Sequence, residues 1–176
     1  MRKMLPTEPA GPTSMHQLGS YIVLFQTLEW LLNEMLIQTI DLNDREIVQI
    51  LVHELDFGKR VNTADVLFSY IINSRFPAHA PEAKLFHKLA EDIVELSKRR
   101  NDFVHSRYAH WMDIEGREGL IRSNSKFKTS RGERQSTDED LLPQAFEKDH
   151  EAVRAALGRL ERFRLLLIDL NNPISD

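Results

Sequence analysis

The stretch 98–105, Lys-Arg-Arg-Asn-Asp-Phe-Val-His, holds the side chains of this sequence that are best suited to chemistry. Arg100 is followed at once by Asn101, and His105 comes four residues later. An Arg guanidinium stays charged and can clamp a phosphate with its planar fork. A His titrates near neutral pH and can give or take a proton, and an Asn can orient it or bind a phosphate oxygen. These residue types suit the cleavage of RNA by its own 2′-hydroxyl, a reaction that needs no metal.

A long helix, predicted at about 81–108, must position these side chains. Its apolar residues recur at spacings of three and four, in a row that continues through an arginine. That row is Leu85, Leu89, Ile93, Leu96, Arg100 and Phe103. Arg99 falls on a row of charged residues, which we expect to face solvent. Because a charge on a buried stripe is costly without a partner or an anionic ligand, we assign Arg100 to the site.

The spacing of Arg100 and His105 allows three arrangements. Positions five apart on an ideal helix point about 140° away from each other, whereas Asn101 and His105, four apart, share a face. The Arg side chain curls round the helix, or the helix end departs from ideal geometry, or two helices share the site across a dimer. One His per chain cannot easily act as both acid and base, which favours a symmetric dimer that pools two His and two Arg side chains.

Arg100-Asn101 followed by His105 resembles the signature motif of HEPN domains, an Arg with a polar neighbour and a His after a short gap. As sequence, the resemblance covers mainly residues 96–111. It implies that Arg100 and His105 are catalytic, that Asn101 supports them, and that a homodimer forms a composite cleft at its paired motif helices. It also implies a metal-independent endoribonuclease of toxin–antitoxin or anti-phage systems, with a possible antitoxin or defence partner. HEPN toxins that are modified by an antitoxin often carry a Tyr two residues after the His; Arg107 stands at that position and Tyr108 follows it, which argues against modification of Tyr108.

The distribution of charge favours a phosphate-containing partner. The whole chain carries a net charge of −4, but segment 97–134 has ten cations and five anions and so carries +5. Positive charge concentrated beside the Arg/His motif is typical of a nucleic-acid surface, although a solvated loop with surplus Lys and Arg would give the same count. The side chains that we predict to contact RNA are Arg107, Arg122, Lys126, Lys128 and Arg131.

The helical periodicity predicts an all-α fold, an up-and-down bundle at 14–172 that follows a flexible lead at 1–13. The first helix is expected from Ser14 or His16 to about Ile40, with Trp30 in the core. A basic hairpin or loop is predicted at about 109–135, projecting from one end of the bundle. The capping-box pattern at 136–139, Ser-Thr-Asp-Glu, predicts that a final helix spans about 137–170.

Composition excludes some classes of protein. The 176 residues suffice for one domain, and the absence of cysteine excludes disulfides and thiolates. We find no Gly-rich phosphate loop and no His pair at metal-ligand spacing, so we predict neither cofactor nor metal. No segment has the length and apolarity of a signal peptide or membrane span, from which we expect a cytoplasmic protein without membrane contact.

Two functions agree with these observations. The first is a dimeric, metal-independent endoribonuclease that leaves 2′,3′-cyclic phosphate ends. The second is a non-catalytic helical interaction module of a defence or regulatory system, as some HEPN domains are. In the second case Arg100 and His105 would only stabilise the dimer.

Overall fold

The fold was analysed in a computed structural model, which describes residues 13–40, 45–128 and 133–172, with the backbone alone at 125–128 and 133–137. Residues 1–12 of the predicted flexible lead lie outside the described residues. Within them the chain is mostly helical and includes one small antiparallel sheet. The elements are α1 (Ser14–Ile40), α2 (Arg45–His53), α3 (Phe57–Arg75), α4 (Ala80–Val104), β1 (Arg107–Met112), β2 (Glu118–Lys128), β3 (Glu133–Leu141) and α5 (Glu147–Asn171). No helix in this part of the chain is both long and apolar enough to cross a membrane.

Helix α1 lies at the centre of the bundle, with the bounds that the apolar spacing predicts. It packs against α2, α3 and α5 and also meets α4 and the sheet. Its buried row includes Phe25, Leu28 and Leu32. Trp30 is 61% exposed, so its predicted core position is wrong. The reason is geometric: Trp30 lies about 200° round the helix from both Leu28 and Leu32.

Helices α3, α4 and α5 alternate in direction. Asp92 and Arg99 of α4 pair with Arg159 and Asp149 of α5, so these two helices run antiparallel. Helices α3 and α4 are antiparallel as well, since Phe57 at the start of α3 lies near the C-terminal end of α4, and Phe68 stacks on Phe86. The mostly helical class is confirmed at this coarse level.

An ion pair between α3 and α4 gives a pH-dependent contact. His87 Nδ1 lies 2.6 Å from Asp65 Oδ2, and this hydrogen bond, with the attraction of the Asp65 carboxylate, raises the pKa of His87. The pKa of His87 is higher in the folded than in the unfolded protein. The ion pair therefore stabilises the fold fully at pH values below the unfolded pKa of about 6.5, and this stabilisation is lost as pH rises through the folded pKa.

We therefore expect an NMR titration of the His87 ring to give a pKa above about 6.5, the ordinary histidine value. In the Asp65→Asn variant the hydrogen-bond partner loses its charge, so the pKa of His87 should fall. Equal values in the two proteins would contradict the contact.

The segment after α4 forms a three-stranded sheet of order β1-β2-β3. Strands β1 and β2 make the predicted hairpin, with Gly116 at φ 79° in its turn, where glycine is favoured. The predicted final helix is present and ends at Asn171, but its predicted start at about 137 is wrong: the capping-box residues 136–139 lie in β3, and α5 begins at Glu147. Pairing with β2 supplies backbone hydrogen bonds to these residues, and it buries Leu141 opposite Leu120.

Helix α4 ends earlier than predicted, at Val104. The backbone N–H of His105 donates to the carbonyl of Asn101 (3.0 Å) and closes the last helical turn. Arg107 and Tyr108, which we expected in the helix, begin strand β1. The motif therefore lies at the junction of the bundle and the sheet.

Candidate functional site

Arg100 lies at the edge of a small cleft formed where α1, α3 and α4 meet. Its side chain is 29% exposed, in agreement with a place on the apolar row of α4. The cleft has a volume of about 190 Å³. Its lining residues are Phe25, Glu29, Asp56, Phe57, Gly58, Ser97, Arg100 and Asn101.

The guanidinium of Arg100 is only partly satisfied. Nη1 donates a hydrogen bond to Asn101 Oδ1 (3.1 Å), while Nη2 lies 3.7 Å from Glu29 Oε1, which is too far for a hydrogen bond. Nε is buried and has no hydrogen-bond partner among the described residues. The guanidinium carbon stands 5.7 Å from the centre of the Phe25 ring. Arg100 therefore retains N–H groups that an anionic ligand could use.

Asn101 links the arginine to the histidine. Its side chain accepts from Arg100, and its backbone carbonyl accepts from the N–H of His105, one turn further on. His105 is exposed and has φ −98° and ψ 10°, outside the regular helix. His105 is thus the C-terminal cap of α4, and the three arrangements that the spacing allows stay predictions. Among the described residues, no side-chain hydrogen bond or ion pair joins His105 to Arg100.

Arg99 does not face solvent, contrary to our prediction. Its guanidinium donates to Asp149 (3.0–3.2 Å) and Glu139 (3.2–3.3 Å) and lies 4.2 Å from the centre of the Phe103 ring. Burial alone lowers the pKa of Arg99, but the hydrogen bonds to the two carboxylates outweigh it and raise the pKa. Asp92 and Arg99 of the charged row thus face oppositely charged groups of α5 and β3. Because Arg99 is fully engaged, Arg100 is the better assignment for the site.

Arg122 is also part of this ionic cluster, and its predicted role in surface contact with RNA is wrong. The residue is only 8% exposed, and its Nη2 lies 2.6 Å from Glu139 Oε2. Its guanidinium carbon is 5.5 Å from the centre of the Phe103 ring. Arg122 shares the inner face of β2 with Leu120, two residues before it, and this face packs on the bundle.

The positive charge of segment 97–134 is partly neutralised by acidic residues that the fold brings next to it. Strand β3 brings the acidic run 138–140 alongside Ser123, Arg122 and Ile121 of β2. Arg107 is exposed at the start of β1. Lys126 and Lys128 lie opposite Gln135 and Glu133, and Arg131 is outside the described residues.

The Tyr108 hydroxyl ties β1 to the end of α4. It donates to the carbonyl of Phe103 (2.7 Å). Burial raises the pKa of Tyr108 to about 12, against the opposing effect of the nearby Arg122 and Arg99 charges. This hydroxyl therefore has a structural partner, beside the motif.

The ion pair between Glu139 and Arg122 is expected to stabilise the fold. The Glu139→Gln substitution removes the carboxylate but leaves the Arg122 charge buried, and such a group costs about 1–3 kcal/mol when its partner is lost. We expect the free energy of unfolding in urea to fall by that amount. The control is Asp138→Asn, an isosteric change at the exposed neighbouring position, with an expected effect within about 0.5 kcal/mol. Equal effects of the two substitutions would contradict the ionic cluster.

The remaining features neither identify a cofactor nor assign a family. Among the described residues, no group of three or more His, Asp or Glu side chains lies close enough together to hold a metal ion. The chain matches no protein-family model, no curated protein and no solved structure. The resemblance to HEPN domains therefore stays a prediction, based on the motif residues.

Proposed function

We propose that the protein is a metal-independent endoribonuclease of HEPN type, which acts as a homodimer in a toxin–antitoxin or anti-phage system. The observation that carries the proposal is the cleft at Arg100. There, a half-buried guanidinium with unused N–H groups lies beside Asn101, one helical turn from the exposed His105. A partly buried Arg with free donors is suited to bind phosphate.

Each of the three side chains has a role in the proposed reaction. Arg100 binds a non-bridging phosphate oxygen and stabilises the charge that develops in the transition state. Asn101 holds the Arg100 guanidinium through its side-chain oxygen. The imidazolium of His105 donates a proton to the 5′-oxygen that leaves. The products are a 2′,3′-cyclic phosphate end and a 5′-hydroxyl end.

Contact with RNA is proposed for the exposed Arg107 and for Lys126 and Lys128 of β2. The same contact is proposed for Arg131 from the sequence alone. Neutralising phosphates releases counterions from RNA, so binding should weaken as salt rises. The acidic residues of β3 reduce the positive charge of this surface. We therefore expect the affinity for RNA to depend on salt as it does for a protein that contacts few phosphates.

The alternative function is a non-catalytic interaction module. It is favoured by the long ionic cluster of Arg99, Arg122, Glu139 and Asp149, which shows that charges near the motif can have a purely structural purpose. In that case Arg100, 3.7 Å from Glu29, would simply be a further ion pair between helices.

The experiment that separates the two functions is incubation of the purified protein with total tRNA and a structured RNA in EDTA. The endoribonuclease proposal expects cleavage, with 2′,3′-cyclic phosphate ends. Absence of cleavage by a well-folded protein would favour the interaction module.

A further inference from the structure

The proposed reaction needs a base for the 2′-hydroxyl proton as well as an acid for the leaving oxygen. His105 supplies one group per chain. In the structure a second ionisable side chain, Glu29 of α1, lies in the same cleft as Arg100, with its Oε1 3.7 Å from Arg100 Nη2. No sequence pattern singled it out, because it is 71 residues away from the motif arginine.

Among the described residues, the Glu29 carboxylate has one ionic neighbour, Arg100 at 3.7 Å. Its side chain is 22% exposed, and it accepts no hydrogen bond from the described residues of the protein. The other acid of the cleft, Asp56, is already engaged: its carboxylate caps α3 by accepting from the Lys59 N–H (2.9 Å) and pairs with the Lys59 ammonium (3.1 Å). These contacts lower the pKa of Asp56 and make it a weaker base.

The positions of Glu29 and His105 suit opposite roles. Glu29 lies beside the Arg100 guanidinium, whereas His105 ends the helix about 7.5 Å further along its axis, five residues at about 1.5 Å each. Arg100 and Asn101 line the cleft with Glu29, and the proposed reaction needs the phosphate to be bound there with His105 within reach of its 5′-oxygen. An in-line displacement needs its base and its acid on opposite sides of the phosphorus.

We propose that Glu29 is the general base of the site. The Glu29 carboxylate takes the 2′-hydroxyl proton, and the 2′-oxygen forms a bond to phosphorus while the bond from phosphorus to the 5′-oxygen breaks. The His105 imidazolium gives its proton to that 5′-oxygen, and solvent then returns both groups to their starting states. The inference rests on the proposed function, and it removes the need for the His of a second chain as base.

The charged groups in or near the cleft of Glu29 come from two helices, α3 and α4. Arg100 of α4 and Asp56, at the start of α3, line the cleft with it. Arg60 of α3 donates to Asn33 (2.9 Å), one turn further along α1, and its guanidinium lies 5.6 Å from the Phe57 ring centre. Glu29 therefore lies beside one guanidinium group, and a second guanidinium group and one acid lie near the cleft.

The test compares the rate of RNA cleavage in EDTA against pH for the wild type, Glu29→Gln and Glu151→Gln. Glutamine keeps the shape of the side chain but cannot take the proton, so we expect kcat to fall at least about 100-fold with KM nearly unchanged. The acid limb of the pH profile should disappear. Glu151 is exposed on α5 away from the cleft, and its substitution should change neither quantity.

If Glu29 serves only to offset the Arg100 charge, Glu29→Gln frees Arg100 for RNA: KM falls, kcat is kept and the acid limb remains. That result overturns the inference and leaves the proposed endoribonuclease intact. A wild type that does not cleave overturns both, so the two failures are distinguishable. Equal thermal midpoints for the three proteins show that a loss of rate is not a loss of fold.

Discussion

The His105→Ala variant is expected to cleave RNA about 10²–10⁴-fold more slowly than the wild type, the usual contribution of a general acid. The fold should be unaffected. His105 is exposed, it follows the last helical residue of α4, and its backbone N–H, which an alanine retains, makes the hydrogen bond to Asn101. Cleavage in EDTA and the thermal midpoint of unfolding measure the two properties separately.

A matched control is His53→Ala. His53 is exposed at the end of α2, so its loss tests whether truncation of any helix-end histidine lowers the rate. We expect no change of rate in that variant.

Arg100→Ala should also lower the rate of RNA cleavage, by about 10²–10³-fold, since it removes donors aimed at the developing charge. Wild-type rates in both motif variants would exclude the site, and a lower thermal midpoint in His105→Ala would favour the interaction module.

The helices were predictable because their information is local. The apolar residues of α1 recur at spacings of three and four, and this periodicity predicted its bounds. The same phase argument put Arg100 on the apolar row of α4, where it is half-buried. Trp30 shows the limit of the method, since an apolar residue off the main row was assigned to the core.

Strand β3 was not predictable in the same way. Its residues 136–139 have a strong local preference for a helix start, and the strand forms through pairing with β2, which depends on long-range register. The inward position of Arg122 follows from that register too. Arg99 was misplaced because a charged row that faces an oppositely charged helix has the same sequence pattern as one that faces water.

The site was only half predictable. Arg100, Asn101 and His105 are neighbours in sequence, so their types and spacing singled them out. Glu29 and the start of α3 reach the same cleft only through the packing of three helices. The base that we propose is therefore a product of tertiary structure, while the proposed phosphate-binding group and the proposed acid are visible in the sequence.

Phe103 is the residue whose loss should destabilise the fold most. It is 1% exposed. Its ring packs edge-on against Tyr21 of α1 (5.0 Å between ring centres) and lies tilted against Phe146 before α5 (5.6 Å). The guanidinium groups of Arg99 and Arg122 lie over the same ring. One side chain thus joins the central helix, the motif helix, the sheet and the segment before α5.

The Phe103→Ala variant should lose about 3–5 kcal/mol of the free energy of unfolding in urea, because a cavity replaces a ring with partners on all sides. Val104→Ala is the control: that side chain is adjacent but 47% exposed, and its truncation should cost less than about 1 kcal/mol. Since Phe103 lies between Arg100 and His105, its loss should also lower cleavage at temperatures where the variant is folded, by loosening the helix end that positions both groups. A cost for Phe103→Ala as small as that of the control would mean that the sheet does not dock on α4 through this ring.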